Sequence, residues 1–411
     1  MLTTLKLRGI IALANMLGWT SRITQRGSGV MVTGRTILKL SPHAVAVLAR
    51  HRKVVLVSGT NGKTTTTSLI YHALATKTSV VSNFTGANLF AGLAAALSKD
   101  RNAPAAALEV DEMVLPWAIT ETQPDLVVLL NLGRDQLDRL SEVRFVAQKW
   151  RDALQNLPLG CAVLADADDP FVAWASRNWS QVIWFSSGAK GHIDAATCPE
   201  CGAILHWTDA GGVYGCRCGF KKPTPDWILR AGVLTGPNNQ SVAVHSAIPG
   251  AAAESNAARA IVAVASFGIS LQQSAAAISR VSSVDGRFGS LKIGETEFRL
   301  FLSKNPASWR ETLQTSGSGP HCVALVVNAN TQDGKDTSWL WDVDFTPLTG
   351  RKVVVTGERR LDVSARLTVN EIPHDVVRNE VAAAEVFGAV QADLIASYTA
   401  FHRLAKSVKR P

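Results

Sequence analysis

No apolar run in the 411-residue sequence is long enough to cross a bilayer: the most apolar N-terminal stretch, Leu5 to Trp19, falls short of the roughly 20 residues that a spanning helix needs. That stretch has no convincing small-residue cleavage site after it, and no internal repeat is evident in the chain. The expectation is a cytoplasmic protein without a transmembrane segment. Charge is sparse at 18% and aromatics at 7%, yet 46% of the residues are hydrophobic, which excludes a mainly disordered chain. Acid is the scarcer charge, with 33 Asp and Glu against 42 Lys and Arg, a formal +9. That balance favours anionic partners, whether nucleotide, nucleic acid or membrane surface. Cysteine is limited to six residues, and without a signal peptide these belong in a reducing compartment, where clustered thiols bind metal more often than they pair. Within Leu5 to Trp19, the residues Ile10, Ile11, Leu13, Ala14 and Leu17 follow Lys6 and Arg8. A helix packed on its own domain is expected there, with an interfacial helix at an anionic membrane surface as the alternative.

At about one domain per 150 residues the length suggests two to four domains, and three is the working number. Lys53 to Ser58 reads as a buried parallel strand and Thr64 to Thr76 as the helix after it. Further strands are expected at Ser79 to Val81, Ala106 to Val110, Leu126 to Leu130, Ala162 to Ala165 and Val182 to Phe185, with helical segments between several of them. The alternation implies a doubly wound, mostly parallel α/β sheet. Residues 191–222 break the pattern and read as an insertion; Glu254 to Gly268 then reads as a helix returning to the same body, and Ser282 to Gly289 as a hinge. Strand-like runs at Phe298 to Ser303, Cys322 to Asn328 and Lys352 to Thr356 imply a second, smaller α/β domain. The expected boundaries are 1–50 for an N-terminal segment on the central domain, 51–285 for the central domain and 286–411 for the C-terminal domain.

Between the first strand and helix lies Gly59-Thr60-Asn61-Gly62-Lys63-Thr64-Thr65. A strand, a glycine turn and a helix N-terminus aim several backbone N–H groups at one anion, Lys63 adds a full charge, and Thr64 can give its hydroxyl to a Mg2+ on phosphate oxygens. The bland reading is a glycine turn with a solvated lysine. The commoner phosphate-loop spacing would need glycine at Val57, so the loop is instead similar to that of Mur ligases and folylpolyglutamate synthases. Glu109 closes a strand at the edge where an open α/β sheet presents its ligands, followed by Asp111 and Glu112, and is the expected second Mg2+ residue. Ser82 to Asn88 is a polar loop that either faces substrate or makes a turn.

Cys198-Pro-Glu-Cys201 and Cys216-Arg-Cys218 have the spacing of two metal knuckles, able to give Zn2+ four thiolates in a closed, structural site. About 10 to 16 kcal/mol of apparent binding free energy would fold an insertion with almost no core. Few basic residues interleave with aromatics there, so nucleic acid is not the expected partner. Cys161 and Cys322 open apolar runs and read as core thiols; neither sits in a strand-to-helix elbow, so no glutaminase nucleophile is expected in the chain.

The loop, the Asn131-Leu-Gly-Arg-Asp-Gln-Leu-Asp138 element, the cysteine insertion and the later Asp333-Gly-Lys-Asp336-Thr-Ser-Trp-Leu-Trp-Asp342-Val-Asp344 segment together resemble the MurT family of the Mur ligase superfamily, over nearly the whole chain. The resemblance implies a Mur-like central ATPase domain with a zinc-ribbon insertion and a Rossmann-like C-terminal domain. It implies ATP, Mg2+ and structural Zn2+, and amidation of the D-isoglutamate α-carboxylate of lipid II at the inner membrane surface, with ammonia from a separate class I glutaminase of the GatD type. By the same resemblance Lys149 is a site for carbamylation, Asn256 and Arg287 face the nucleotide, and Asp336, or else Asp342, orients the partner's catalytic histidine. Gln136 stands where many Mur ligases have a metal-binding histidine. Two other readings stay open: a ligase adding an amino acid to a peptide or folate, and a zinc-ribbon scaffold that binds nucleotide as a switch.

Overall fold

The computed structural model describes residues 2–24, 29–83, 86–134, 143–189, 191–192, 194–208, 212–283 and 288–408. Expectations resting on Gln136, on its neighbours from Asp135 to Arg139, and on Arg287 lie outside these residues. The chain divides into two compact units, the first formed by residues 1–132, 142–246 and 254–281 and the second by 133–141, 247–253 and 282–411.

The first unit opens with three helices, α1 (Leu2–Ile23), α2 (Val30–Leu40) and α3 (Ala44–Ala49). An alternation follows: β1 (Lys53–Ser58), α4 (Lys63–Leu74), β2 (Val80–Ser82), α5 (Phe90–Lys99), β3 (Ala105–Glu109), α6 (Leu115–Thr122) and β4 (Leu126–Leu129). It continues through α7 (Val143–Leu154), β5 (Ala162–Asp166), α8 (Pro170–Ser176) and β6 (Val182–Ser186). A small hairpin, β7 (His206–Trp207) and β8 (Tyr214–Gly215), precedes β9 (Trp227–Arg230), β10 (Val233–Thr235) and β11 (Ser241–Ala243), and then come α9 (Ala251–Ala265) and α10 (Leu271–Ile278).

The large sheet has the order β11-β10-β9-β6-β5-β4-β1-β3-β2. Strands β1 to β6 and β9 run parallel where they pair, whereas β10 and β11 extend the edge antiparallel. Val54, Val55, Leu56 and Val57 are fully buried because helices cover both faces of β1, and this is why that strand is an unbroken apolar run in the sequence. β1 lies between β3 and β4, the point where strand order reverses and an open α/β sheet leaves a crevice at its carboxyl edge. The loop after β1 therefore opens onto the place where such sheets bind ligands.

In the second unit β12 (Phe288–Ile293), β13 (Thr296–Leu302), α11 (Pro306–Gly317), β14 (Cys322–Val326) and β15 (Lys352–Thr356) are followed by α12 (Arg360–Val369), β16 (His374–Val376), α13 (Glu380–Phe387), β17 (Gln391–Ala396) and α14 (Tyr398–Val408). Their sheet has the order β12-β13-β17-β14-β15-β16, antiparallel only between β12 and β13. Alternate side chains of β14 enter opposite cores: Cys322, Ala324 and Val326 join Phe298, Leu394 and Phe401, while Val323 and Leu325 join Trp309, Trp339 and Phe345. Among the described residues no helix is long and apolar enough to cross a membrane.

Candidate active site

The chain leaves β1 at Ser58, whose hydroxyl donates to the Val110 carbonyl at 2.9 Å and ties the ends of β1 and β3 together. Gly59 then adopts φ +146°, and a side chain there would stand 2.9 Å from Leu130 Cβ. Asn131, just past β4, clamps the turn: its carbonyl accepts from Thr60 N at 2.8 Å, its Oδ1 from Asn61 N at 2.9 Å, and its Nδ2 donates to Asn61 O at 3.0 Å. Gly62 sits in the left-handed region, φ +85°, and caps α4. A Cβ on Gly62 would come within 2.8 Å of Asn256 Oδ1, so the buried amide of Asn256 on α9 lies against the phosphate loop.

Lys63 is buried, and its ammonium donates to the Gly59 carbonyl, to Thr60 O at 3.3 Å and to Glu112 Oε2 at 3.1 Å. Thr64 is buried beside it and Thr65 is half-buried. Glu112 is steadied in turn through its backbone carbonyl, which accepts from Trp150 Nε1 on α7 at 2.9 Å. The sequence marks Asp111 and Glu112 as secondary to Glu109; the structure gives Glu112 the ion pair with Lys63.

Glu109 is 1% exposed at the end of β3. Asn83 exchanges two hydrogen bonds with its backbone, donating to Glu109 O at 2.8 Å and accepting from Glu109 N at 2.7 Å, and Asn88 Nδ2 donates to Glu109 Oε1 at 3.1 Å. Glu109 Oε2 is buried with no hydrogen-bond partner. A buried carboxylate oxygen of that kind is costly unless a cation satisfies it, and hard oxygen is what Mg2+ takes, so Glu109 and the Thr64 hydroxyl fit the metal that the phosphate loop implies. The polar loop of Asn83 and Asn88 orients this carboxylate, a role that sequence reading does not assign it.

A second polar group stands at the end of β5, unforeseen from the sequence. Asp166 and Arg259, both buried, form an ion pair at 2.5 Å, and the guanidinium also reaches Asn256 Oδ1 at 3.4 Å and stacks over Phe185. Burial pushes the Asp166 carboxyl up to about 7, against the opposing pull of Arg259. Asp168 pairs with Lys222 at 2.6 Å, and Asp169 both caps α8 and binds His192 at 3.1 Å, while its Oδ2 accepts from Leu132 N at 2.7 Å. Burial lowers the His192 pKa, but Asp169 with Asp194 and Asp166 outweighs it and the net shift is upward. Lys222 and His192 flank the cysteine insertion, so this acidic group anchors it to the sheet.

The four thiols of Cys198, Cys201, Cys216 and Cys218 lie within 4.8 Å of one another, with Cys198 Sγ to Cys218 Sγ at 3.7 Å and Cys201 Sγ to Cys216 Sγ at 3.5 Å. Four sulfurs about 2.3 Å from a tetrahedral Zn2+ are ~3.8 Å apart, so the cluster fits that ion. Tyr214 packs between Trp207 and Phe220 beneath the knuckles and donates to the Ala167 carbonyl at 3.1 Å, while Glu200 meets Arg177 and Trp174. Cys161 is buried away from this cluster, its thiol pushed up to about 12 by burial, and Cys322 is buried in the second unit. Neither is poised as a nucleophile.

Lys149 lies exposed on α7 with its ammonium 5.3 Å from the Phe145 ring centroid, while the next residue, Trp150, turns inward to Glu112. In the second unit Asp336 is exposed and accepts from Ser338 N at 2.8 Å, a bond that holds its carboxyl below the usual range. Asp342 is exposed and 3.7 Å from Arg134. Their loop is fixed at both ends: buried Asp333 accepts from Thr399 N at 2.8 Å and Asn330 N at 3.1 Å, and Trp339 packs on Trp309. Trp341, by contrast, is exposed and lies under Arg366.

A nine-stranded α/β body with this loop at its switch point, a buried carboxylate at the end of the neighbouring strand and a separate α/β unit define a Mur-type ligase architecture. Residues 57–264 match the Mur ligase middle domain and residues 302–401 the MurT ligase C-terminal family. The lipid II isoglutaminyl synthase (glutamine-hydrolyzing) subunit MurT of Streptococcus pneumoniae (strain ATCC BAA-255 / R6) is 30% identical, over 92% of each chain. The UDP-N-acetylmuramate–L-alanine ligase of Caldicellulosiruptor saccharolyticus is also 30% identical, but over 43% of this chain and 38% of its own. Among solved structures, the MurF ligase from Thermotoga maritima in complex with ADP has the same fold, with a TM-score of 0.64 and 16% identity over 92% of this chain and 83% of its own. The chain belongs to the MurT family of Mur ligases.

Proposed function

We propose that the chain is the ATP-dependent synthetase subunit of a lipid II isoglutaminyl synthase, converting the D-isoglutamate α-carboxylate of the lipid II stem peptide to an amide. The observation that carries this reading is the pairing, in one chain, of the phosphate loop with a C-terminal unit of the MurT type. The amino-acid-adding relative named above shares less than half of the chain, which disfavours that alternative.

A carboxylate is a poor acyl donor. Its oxygen attacks the γ-phosphorus of ATP, releasing ADP and giving an acyl phosphate; ammonia then adds to the carbonyl, loses a proton, and phosphate leaves as the amide forms. Lys63 and the loop N–H groups stabilise charge on the transferred phosphoryl group, and Asn256 and Gly62 shape the wall beside it. Glu109, held by Asn83 and Asn88, would bind Mg2+ together with Thr64, and the ion would supply charge neutralisation for the transferred phosphoryl group. Cys198, Cys201, Cys216 and Cys218 would hold Zn2+ in a closed four-thiolate site, where the ion would serve the structure of the insertion. Ammonia arrives from a glutaminase partner of the GatD type or from solution, and Asp336 is the residue assigned to meet the partner's histidine. The reaction belongs in the cytoplasm, at the inner membrane surface where lipid II is presented.

The test is to incubate the purified protein with ATP, Mg2+, lipid II and ammonium and to weigh the product. The expected change is the small mass decrease of a carboxylate-to-amide exchange, dependent on ATP. Addition of a whole amino acid, or no ATP-dependent change, overturns the reading.

A further inference from the structure

From Met1 to Lys99 the sequence contains no aspartate or glutamate; the first acid is Asp100. The same segment carries α1, whose only charged side chains are the cations Lys6, Arg8 and Arg22. One side of α1 is committed to the first unit: Leu7, Ile11 and Ala14 are buried, and the Thr33 hydroxyl on α2 donates to Ala14 O at 3.2 Å. The opposite side is apolar and open. Leu13 is 42% exposed, Met16 55%, Trp19 56% and Ile23 59%. At 3.6 residues per turn these positions recur along one face over about three turns, with Lys6 just beyond one edge of that face and Arg8 just beyond the other. On α2 the exposed Val32, Arg35, Lys39 and Leu40 repeat the same mixture of apolar and basic side chains.

A helix that buries one face on its own domain ordinarily turns a mixed polar face to solvent. Here the outward face holds large apolar residues, one of them tryptophan, fringed by cations and carried on a segment, residues 1–99, that has no acid of its own. We infer that this face of α1 docks on the surface of an anionic phospholipid bilayer, its apolar side chains entering the headgroup boundary and its cations meeting lipid phosphates. The charge pattern selects this occupant, because a bilayer surface is anionic along its whole extent and needs no matched set of carboxylates. Tryptophan suits that boundary, having an apolar ring and a polar N–H. The helix would lie along the surface, since no described helix is apolar enough to span. The inference stands on the surface alone and does not depend on the amidation reading; its test has no catalytic readout.

The full chain is sedimented with vesicles of phosphatidylcholine and with vesicles containing phosphatidylglycerol, at low and high salt. The expected result is co-sedimentation with the anionic vesicles that weakens with salt, and a drop of about tenfold or more in the bound fraction for Met16→Gln/Trp19→Ser/Ile23→Gln, with circular dichroism and melting unchanged. Charge reversal at Lys6→Glu/Arg8→Glu is expected to weaken binding without touching the apolar face. Wild-type protein that stays in the supernatant with anionic vesicles overturns the inference, as does a triple variant that binds equally well. A wild-type dimer in light scattering that the triple variant dissolves, without vesicle binding by either, assigns the face to a second copy instead and also overturns it.

Discussion

At the scale of single residues, the site is built by side chains that hold other side chains. Lys63 is aimed by two loop carbonyls and by Glu112, which Trp150 steadies; Glu109 is aimed by Asn83 and Asn88 and keeps one oxygen without a protein partner. Lys63 is the group whose loss has the plainest consequence. In Lys63→Ala the loop N–H groups remain but the full charge is gone, and a missing donor to transition-state charge costs about 10²-fold or more in rate. Because the loss falls on carboxylate activation, it is expected to be equal with ammonia and with glutamine as nitrogen source, measured as initial rates of amidation. A variant that keeps near wild-type rates with ammonia would remove Lys63 from the chemistry. The bland alternative, a solvated lysine in a glycine turn, is also answered at this scale, since Lys63 is 3% exposed and its ammonium is tethered.

Between elements, legibility follows burial. β1 and β15 match their sequence ranges because strands covered on both faces are continuous apolar runs with abrupt polar ends. The antiparallel edge β9 to β11 was not foreseen, since its strands are three or four residues long, alternate in exposure and are joined by left-handed Ala231 and Asn238. The knuckles were legible from spacing alone, but their anchor was not. Asp166, Asp168 and Asp169 carry no spacing signature of their own, because their partners Arg259, Lys222 and His192 are distant in sequence. An Asp-Pro pair at a helix start after a strand-end acid was the available signal, and it announces only the cap. This anchor has a pH signature. His192 is raised above its ordinary value, so its contribution to stability is fully present below pH ~6.5 and is lost as pH rises through the higher folded value. The melting-temperature gap between wild type and His192→Gln is therefore expected to be widest in mild acid and to close above neutrality. Asp166, pushed up to about 7, also favours its protonated form in the fold and loses stability in the same direction, so the comparison with the variant is what isolates His192. A gap that widens with rising pH would contradict the assignment.

For the whole molecule, the proposed chemistry separates by unit. Carboxylate activation is assigned to residues of the first unit, and nitrogen supply to a partner met through the second. Asp336 suits a group offered outward: it is exposed, its bond from Ser338 N holds its carboxyl below the usual range, and the loop carrying it is fixed by buried Asp333 and Trp339. Asp342 is exposed as well, but already has Arg134 at 3.7 Å. An acid that orients a histidine in the partner acts on glutamine hydrolysis and not on acyl-phosphate formation. Asp336→Asn is therefore expected to keep amidation with free ammonium near the wild-type rate while lowering the glutamine-dependent rate of the complex by about 10²-fold or more. Association with the glutaminase, followed by co-purification, should survive, because the substitution preserves size. Equal loss with both nitrogen sources would exclude the orienting role, and a glutamine-specific loss in Asp342→Asn instead would transfer it to that residue.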